Sequence, residues 1–433
     1  MDIAAIRDAF PVTRARVKAP DGREHPLVYL DHAASTHAPT PVLEYVQRFM
    51  SETYANVHRG AHQLSERSTD AFEDARETIR RFLNVPDDRD IVFTHNTTSA
   101  LNLAAHLAHH DAKRLGRDGA TITSCLEHHS NLLPHRARGP VECVGMTPEG
   151  RLDVADLERR LAKNPKTRLV AITAASNVTG FRTPVDEILA LAARHDAPTL
   201  IDGAQVLAHG GLDFSSLPNG GPQYFAAAGH KAYAPFGCGF LVAPRAALEA
   251  APPFLPGGGT VRLVTDTETY WTEGVERHEG GTPPVVGAVA LAEALRFIER
   301  AGRHEAEVRE HALLARLLKG MSGIDGVQVL GSTSDRDRVG AISFMVDHLP
   351  PPVVAKRLND TAGVAVRHGC FCAHPYLLKL LQVPDDDPRL VHLRHHPAGD
   401  EDPGAVRASL GLYTNESDVN TFTRALGEIA AAR

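Results

Sequence analysis

The sequence has little of what marks secreted, membrane-spanning or nucleic-acid-binding proteins. It contains 5 cysteines in 433 residues, an odd and small number that excludes a disulfide framework. No run approaches the ~18 apolar residues of a transmembrane helix, and the first residues, MDIAAIRDAF, lack a signal-peptide pattern. The 46 basic residues are outnumbered by 53 acidic ones, whereas nucleic-acid binders show a basic surplus. These absences predict a cytoplasmic protein with neither a membrane nor a nucleic acid as partner.

What the sequence does contain is typical of a globular α/β enzyme. Hydrophobic residues make up 43% of the chain, enough for a large core, and its length predicts two or three domains at about 150 residues each. Nearly apolar stretches at 90–95, 168–173 and 198–204 predict buried strands, and helical periodicity covers 64–83 and 184–195. Strands that alternate with helices in this way predict a parallel sheet covered on both faces.

The pattern changes near residue 290, where a helix leads into mixed helices and strands. We therefore predict a large α/β domain over 26–290 and a smaller α+β domain formed by 1–25 and 291–433. The polar, proline-rich stretch 376–406 is predicted to be a surface insertion of the smaller domain.

Three features lie where ligands of such a sheet bind, beyond the carboxyl ends of its strands. Thr97 and Thr98 open a helix after the first strand, which suits a phosphate, although an ordinary helix cap has the same pattern. Asp202 ends a buried strand and needs a cationic partner. Lys231 is a candidate Schiff-base nucleophile, although a lone lysine is more often a surface residue. Together they predict pyridoxal phosphate (PLP), with Asp202 at its ring nitrogen and Lys231 bonded to its aldehyde.

At this point the sequence resembles a known family, the class-V aminotransferases of PLP fold type I, and within it the SufS-like cysteine desulfurases and selenocysteine lyases. The resemblance covers nearly the whole chain and implies a mostly parallel seven-stranded sheet, PLP, and a homodimer whose active site is shared between subunits. It is carried by the ordered motifs VYLDHAAST (28–36), NVHRGAHQLS (56–65), HNTTSALNL (95–103), LEHHSN (126–131), SNVTG (176–180), DGAQ (202–205), GHKAYAPFGCG (229–239), EGGTP (279–283), VAVRHGCFCAHP (364–375) and VRASLGLYT (406–414).

The resemblance also implies roles for individual residues. His128 would stack on the PLP ring, Gln205 would bond its phenolic oxygen, and Thr282 would reach the phosphate of the neighbouring subunit. The implied cofactor-binding residues are Thr97, Thr98, His128, Asp202, Gln205, His230, Lys231 and Thr282. The implied substrate contacts are His58, Asn177, Arg367 and Arg407, and the catalytic residues are Lys231, Cys372 and His128. No metal site is predicted.

The reaction class depends on Cys372, which aligns with the family's nucleophile. The preceding Arg367-His368-Gly369 is electropositive and favours a thiolate, whereas a free cysteine is otherwise often a buried apolar group. Cys370 and Phe371 replace the two histidines that the family has before this cysteine, and Ala228 replaces a serine before Gly-His-Lys. Cys370 either packs in a turn or shares chemistry with Cys372.

The leading hypothesis is a cysteine desulfurase that cleaves the C–S bond of L-cysteine or a related sulfur amino acid. It would act through Lys231 and a persulfide on Cys372, whose sulfur passes to an acceptor protein. The alternative is a PLP-dependent β-lyase that converts a cysteine S-conjugate or cystine to pyruvate and ammonia without a cysteine nucleophile. An epimerase, an aminotransferase and a scaffold without catalysis are further alternatives, and the intact Lys231, Asp202 and His128 argue against the scaffold.

Overall fold

A computed structural model describes residues 1–396, 399 and 402–432. Its α-helices, α1 to α14, are Ile3–Asp8, Thr40–Glu52, Gln63–Leu83, Thr97–Arg114, Leu133–Arg136, Val154–Lys163, Val185–Arg194, Arg245–Ala250, Val285–Ala301, Arg303–Ser322, Pro351–Ala362, His374–Leu380, Pro388–Leu393 and Glu416–Ala431. Its strands, β1 to β17, are Arg16–Lys18, Glu24–Pro26, Val28–Tyr29, Arg89–Thr94, Thr121–Ser124, Val141–Val144, Leu169–Thr173, Thr199–Asp202, Tyr224–Ala228, Gly239–Pro244, Val261–Val264, Thr269–Trp271, Val327–Val329, Ala341–Val346, Val364–Ala365, Arg367–Gly369 and Ala405–Ser409.

The central sheet has 7 strands in the order β4-β10-β9-β8-β7-β5-β6. Strand β10 is antiparallel to both of its neighbours, and the other pairs are parallel. Every residue of β7, β8 and β9 is buried, as expected for strands covered on both faces. The prediction of an α/β fold with a mostly parallel seven-stranded sheet is confirmed.

Local chemistry sets the ends of the predicted elements. The helix predicted at 64–83 is α3, and it ends at Asn84, whose left-handed backbone conformation asparagine tolerates. The helix after β4 begins at Asn96, whose side chain accepts a hydrogen bond from the Ser99 N–H and caps α4. Both caps satisfy backbone groups that a helix end otherwise leaves without partners.

A second sheet of 4 strands, in the order β13-β14-β17-β16, lies in the C-terminal part of the chain. Helices α10, α11 and α14 pack on it around residues such as Phe344 and Phe422. Strand β3 pairs in parallel with β15, which brings a segment near the N-terminus to this part of the molecule. The division into domains 26–290 and 1–25 plus 291–433 stays a prediction.

The stretch 376–406, predicted as a surface insertion, contains both core and exposed residues. Tyr376 and Leu377 of α12 are fully buried, and the side chains of α13 are not. Residues 397, 398, 400 and 401 of this stretch lie outside the described residues. Of the helices that the structure describes, none is at once long and apolar enough to cross a membrane.

Gly180, in the loop after β7, lies close to the backbone at the start of β14. Its φ is +77°, and a Cβ there would lie 2.5 Å from the carbonyl oxygens of Val339 and Ala341. We expect Gly180→Ala to lower the free energy of unfolding by well over the ~1–2 kcal/mol of left-handed strain, because backbone must also move. Urea unfolding of both variants measures this, with Gly22→Ala (φ +87°, nothing within 4 Å) as the strain-only control. Equal losses at the two positions would contradict the expectation.

Candidate active site

A cavity of about 270 Å³ lies beyond the carboxyl ends of the parallel strands of the central sheet. It brings together residues from sequence positions as distant as Ala33 and Arg407. Of the predicted site residues, those that line it are Thr97, Thr98, His128, Asn177, Asp202, Gln205, His230, Lys231, Arg367, Cys372 and Arg407. His58 and Thr282 do not line it.

Asp202 and Lys231 both line this cavity, at the carboxyl ends of two adjacent parallel strands. Asp202 is the last residue of β8, and Lys231 lies in the short turn that follows β9. Burial lowers the pKa of Lys231 to about 8, and Asp202 opposes this shift. Burial raises the pKa of Asp202, although the hydrogen bond from the Ala204 N–H and the charge of Lys231 both lower it.

The N-terminus of α4 forms one end of the cavity. Thr97 Oγ1 is buried and has no hydrogen-bond partner within the described part of the chain. The Thr98 and Ser130 hydroxyls lie 2.8 Å apart. Burial lowers the pKa of His230 to about 4, so this imidazole is neutral at pH 7. Free helix N–H groups with nearby hydroxyls and a neutral imidazole suit a phosphate.

His128 lies on the wall of the cavity, at the turn that follows β5. Its Nδ1 accepts a hydrogen bond of 3.1 Å from the Ser130 N–H, which leaves the ring proton on Nε2. Burial lowers the pKa of His128 to about 3, so the ring is neutral. Gln205 Nε2 donates to the Ala33 carbonyl at 3.0 Å, which fixes this amide at the edge of the cavity.

Two arginines from neighbouring strands share one carboxylate that sequence reasoning missed. Arg367 of β16 is opposite Arg407 of β17, and Asp31 accepts hydrogen bonds from both, at 3.0 Å from Arg367 Nε and 3.2 Å from Arg407 Nη2. Burial lowers the pKa of Arg407 to about 10, and its Nε is buried without a partner in the described residues. The signal for Asp31 was a carboxylate just after a short apolar strand.

Asn177 lines the cavity and also bonds two other residues of its wall. Its Nδ2 donates to the Phe371 carbonyl at 2.8 Å, and its own carbonyl accepts from Arg407 Nη1 at 2.9 Å. The side-chain amide of Asn177, which is predicted to contact the substrate, thus already donates a hydrogen bond to the residue before Cys372.

Cys372 lies at the mouth of the cavity in a tight turn. Phe371 and Cys372 both have φ of +54°, and the Ala373 N–H donates to the Cys370 carbonyl at 3.0 Å. The Cys372 carbonyl accepts from the His129 N–H at 2.7 Å. The side chain of Cys372 is exposed, whereas Cys370 packs against the core. Two left-handed non-glycine residues in a row store strain, a feature that clusters at functional sites.

A second cavity, of about 440 Å³, contains the two predicted residues that the first one lacks. His58 and Thr282 line it together with Arg59 and Glu276. Its wall is held by a buried pair, since Arg76 Nη1 lies 3.0 Å from Glu279 Oε1. In a single chain, His58 and Thr282 are therefore separated from Lys231.

The residues of the first cavity fit PLP. The Thr97 hydroxyl, which has no partner in the part of the chain that the structure describes, and the N-terminus of α4 can bind an anion, and the buried Asp202 can pair with a cationic donor at the other end. A phosphorylated pyridine would supply both groups at once, and His128 and Lys231 would be available to its ring and to its aldehyde. No cluster of three or more metal-ligating side chains occurs among the residues that the structure describes.

The fold and this lysine-containing cavity define an α/β enzyme of the PLP-dependent fold type I class. The sequence profile of the family described as aminotransferase class-V matches residues 28–422. The chain therefore belongs to the class-V aminotransferase family, as the motifs predicted.

Similar proteins are named as cysteine desulfurases. A probable cysteine desulfurase of Halalkalibacterium halodurans is 35% identical over 98% of this chain and 97% of its own length. One of Mycolicibacterium paratuberculosis is 34% identical over 99% of this chain, which spans 58% of that relative's length. The solved apo structure of a cysteine desulfurase from Thermococcus onnurineus NA1 has a TM-score of 0.85, with 30% identity over 100% of this chain and 99% of that one.

Buried Glu127 gives the site a pH-dependent stability. Burial raises its pKa from 4.5 to about 8, although the Ser124 hydroxyl, the Asn131 amide and the Thr173 N–H all contact its oxygens. Because the folded pKa is the higher one, the stabilisation is present below about pH 4.5 and is lost as pH rises through about 8. Between about pH 4.5 and pH 8, we expect the free energy of unfolding of wild type to fall relative to that of Glu127→Gln.

Urea unfolding of both proteins at several pH values measures this difference. The exposed Glu428→Gln on α14 is the control and should parallel wild type. If the Glu127→Gln curve also parallels wild type, Glu127 is ionised in the folded protein and the expectation is wrong.

The left-handed turn at Cys372 predicts an inverted order of stability for two small replacements. The free energy of unfolding of Cys372→Gly should be about 1 kcal/mol higher than that of Cys372→Ala, because glycine adopts φ of +54° without a Cβ clash. Urea unfolding measures it. At the exposed Arg357 of α11, alanine should instead be more stable than glycine by about 1 kcal/mol. If the alanine and glycine variants had the same order of stability at both positions, the backbone strain at Cys372 would be refuted.

Proposed function

We propose that this protein is a PLP-dependent cysteine desulfurase that cleaves the C–S bond of L-cysteine or a related sulfur amino acid. The observation that carries the proposal is the exposed thiol of Cys372 in the same cavity as Lys231, Asp202 and Arg407. A thiol placed there can take sulfur from a substrate held by the arginine. The desulfurase names of the relatives support this reading over the β-lyase.

The residues around the cavity divide between cofactor and substrate. Asp202 would hold the ring nitrogen, His128 the ring face and Gln205 the phenolic oxygen, while Thr97, Thr98 and His230 would hold the phosphate. When bound, PLP supplies an electron sink for the negative charge that forms at the substrate Cα. Arg407 and Arg367 would bind the substrate carboxylate as charged, planar donors.

Lys231 and Cys372 would carry the proton and sulfur steps. With its pKa lowered to about 8 by burial, Lys231 Nζ can accept the Cα proton near neutral pH and later return it. The Cys372 thiolate attacks the substrate sulfur and the C–S bond breaks, so that L-cysteine and the thiol become L-alanine and a Cys372 persulfide. The persulfide sulfur would then pass to a thiol of an acceptor protein.

The second cavity supports a homodimer with shared active sites. His58 and Thr282 are separated from Lys231 in one chain, and we propose that they complete the site of a second copy. The nearby β11–β12 hairpin supports this, since Leu263, Val264 and Tyr270 on it are exposed. Placement in the cytoplasm, with a thiol-bearing protein as sulfur acceptor, belongs to the same proposal.

A product assay tests the function. PLP-loaded protein, its loading checked by visible absorption, is given L-cysteine with a thiol reductant. We expect alanine in equimolar amount to sulfide, and alanine formation should fall by at least ~100-fold in Cys372→Ala because a transition-state nucleophile is gone. Cys143→Ala, which removes another exposed cysteine outside the cavity, should retain full activity. Pyruvate and ammonia that persist in Cys372→Ala would instead establish the β-lyase.

A further inference from the structure

Phe371 links the guanidinium of Arg407 to the turn that carries Cys372. Its side chain is only 7% exposed, and its ring centroid lies 4.8 Å from Arg407 Cζ. The next residue along the chain is Cys372, which lines the same cavity. One aromatic ring thus covers the arginine while its backbone neighbour presents the thiol.

The place of Phe371 is fixed from several sides. Asn177 donates to the Phe371 carbonyl at 2.8 Å and accepts from Arg407 Nη1 at 2.9 Å, so these three residues contact one another in a closed ring. The turn is closed further by the Ala373 N–H on the Cys370 carbonyl at 3.0 Å. These bonds hold the backbone of Phe371, and with it the start of the turn that carries Cys372.

This arrangement leaves Arg407 with restricted access for a ligand. The ring covers a guanidinium face, Asp31 and the Asn177 carbonyl take part of its edge, and Nε has no partner among the described residues. A carboxylate that enters from the cavity can pair with the donors that remain. Because an aromatic ring excludes water from that pair, the ion pair is stronger than it would be in solvent.

We propose that Phe371 is a positioning residue that selects amino acids by their α-carboxylate and sets the place of Cys372 at the same time. It acts through Arg407, whose charge it shields from water, and through the turn that it shares with the thiol. The proposal deepens the proposed function and rests on it, because it takes Arg407 as the carboxylate-binding group.

The test compares the binding of two ligands to PLP-loaded protein, followed by the visible absorption of the cofactor. L-alanine has the carboxylate and no sulfur, and ethylamine has the amine alone. In Phe371→Ala we expect the Kd for L-alanine to rise roughly tenfold, the size of a lost cation–π contact with water admitted. The Kd for ethylamine should stay within about twofold. Phe371→Tyr keeps the ring and should bind both ligands as wild type does.

Catalysis gives a second readout in the same variants. With L-cysteine, Phe371→Ala should raise KM roughly tenfold, and alkylation of Cys372 by iodoacetamide, assigned by mass spectrometry, should change in rate. In Phe371→Tyr, the KM for L-cysteine and the alkylation rate of Cys372 should both match those of wild type. If Phe371→Ala does not fold, Phe371→Leu keeps most of the side-chain volume without the aromatic ring. This variant should still weaken the binding of L-alanine more than the binding of ethylamine.

Two results would overturn the proposal. One is a Kd for L-alanine within about twofold of wild type in both the alanine and the leucine variant. The other is an equal rise in the Kd values for L-alanine and ethylamine, which would indicate that Phe371 has only a general structural role. Failure of the proposed function is distinguishable, because wild-type protein would then form no alanine from L-cysteine, whereas the ligand comparison needs no sulfur chemistry.

Discussion

The buried guanidinium of Arg407 is the group on which the arrangement of the site depends. It is 2% exposed, and a charge so buried must be paired and hydrogen-bonded or it destabilises the fold. Its partners come from three separate segments: the Asp31 carboxylate, the Asn177 carbonyl and the Phe371 ring. These contacts join the second sheet, which carries Arg407, to a loop of the central sheet and to the turn at Cys372.

Around that guanidinium, burial keeps the two imidazoles of the cavity uncharged and brings the pKa of its lysine closer to neutrality. Burial lowers the pKa of His128 to about 3 and of His230 to about 4, so both imidazoles are uncharged at pH 7. The pKa of Lys231 is lowered to about 8 by the same cause. Neutral rings can stack on or bond to a cofactor without repelling a cationic ring nitrogen, and an amine near its pKa can both take and return a proton.

The thiol, by contrast, is placed by backbone strain rather than by charge. Two consecutive left-handed residues, Phe371 and Cys372, are held by hydrogen bonds from Asn177 and from the His129 N–H. Such a conformation persists only where the surroundings enforce it. The strained turn thus holds the exposed Cys372 in the cavity that contains Lys231.

The sequence by itself determined the central sheet, because short apolar runs mark strands buried on both faces and amphipathic helices have a period of about 3.6 residues, and both can be read locally. It also determined that Asp202, Lys231 and Thr97 come together, since the carboxyl ends of parallel strands meet at one edge. Only the tertiary structure decided contacts between distant segments: the Asp31 bridge, the Phe371 ring on Arg407, and the use of the Asn177 amide by the Cys372 turn. Their geometry depends on how two sheets pack, and no local pattern encodes that. The same holds for His58 and Thr282, which the fold of one chain places in a different cavity from Lys231.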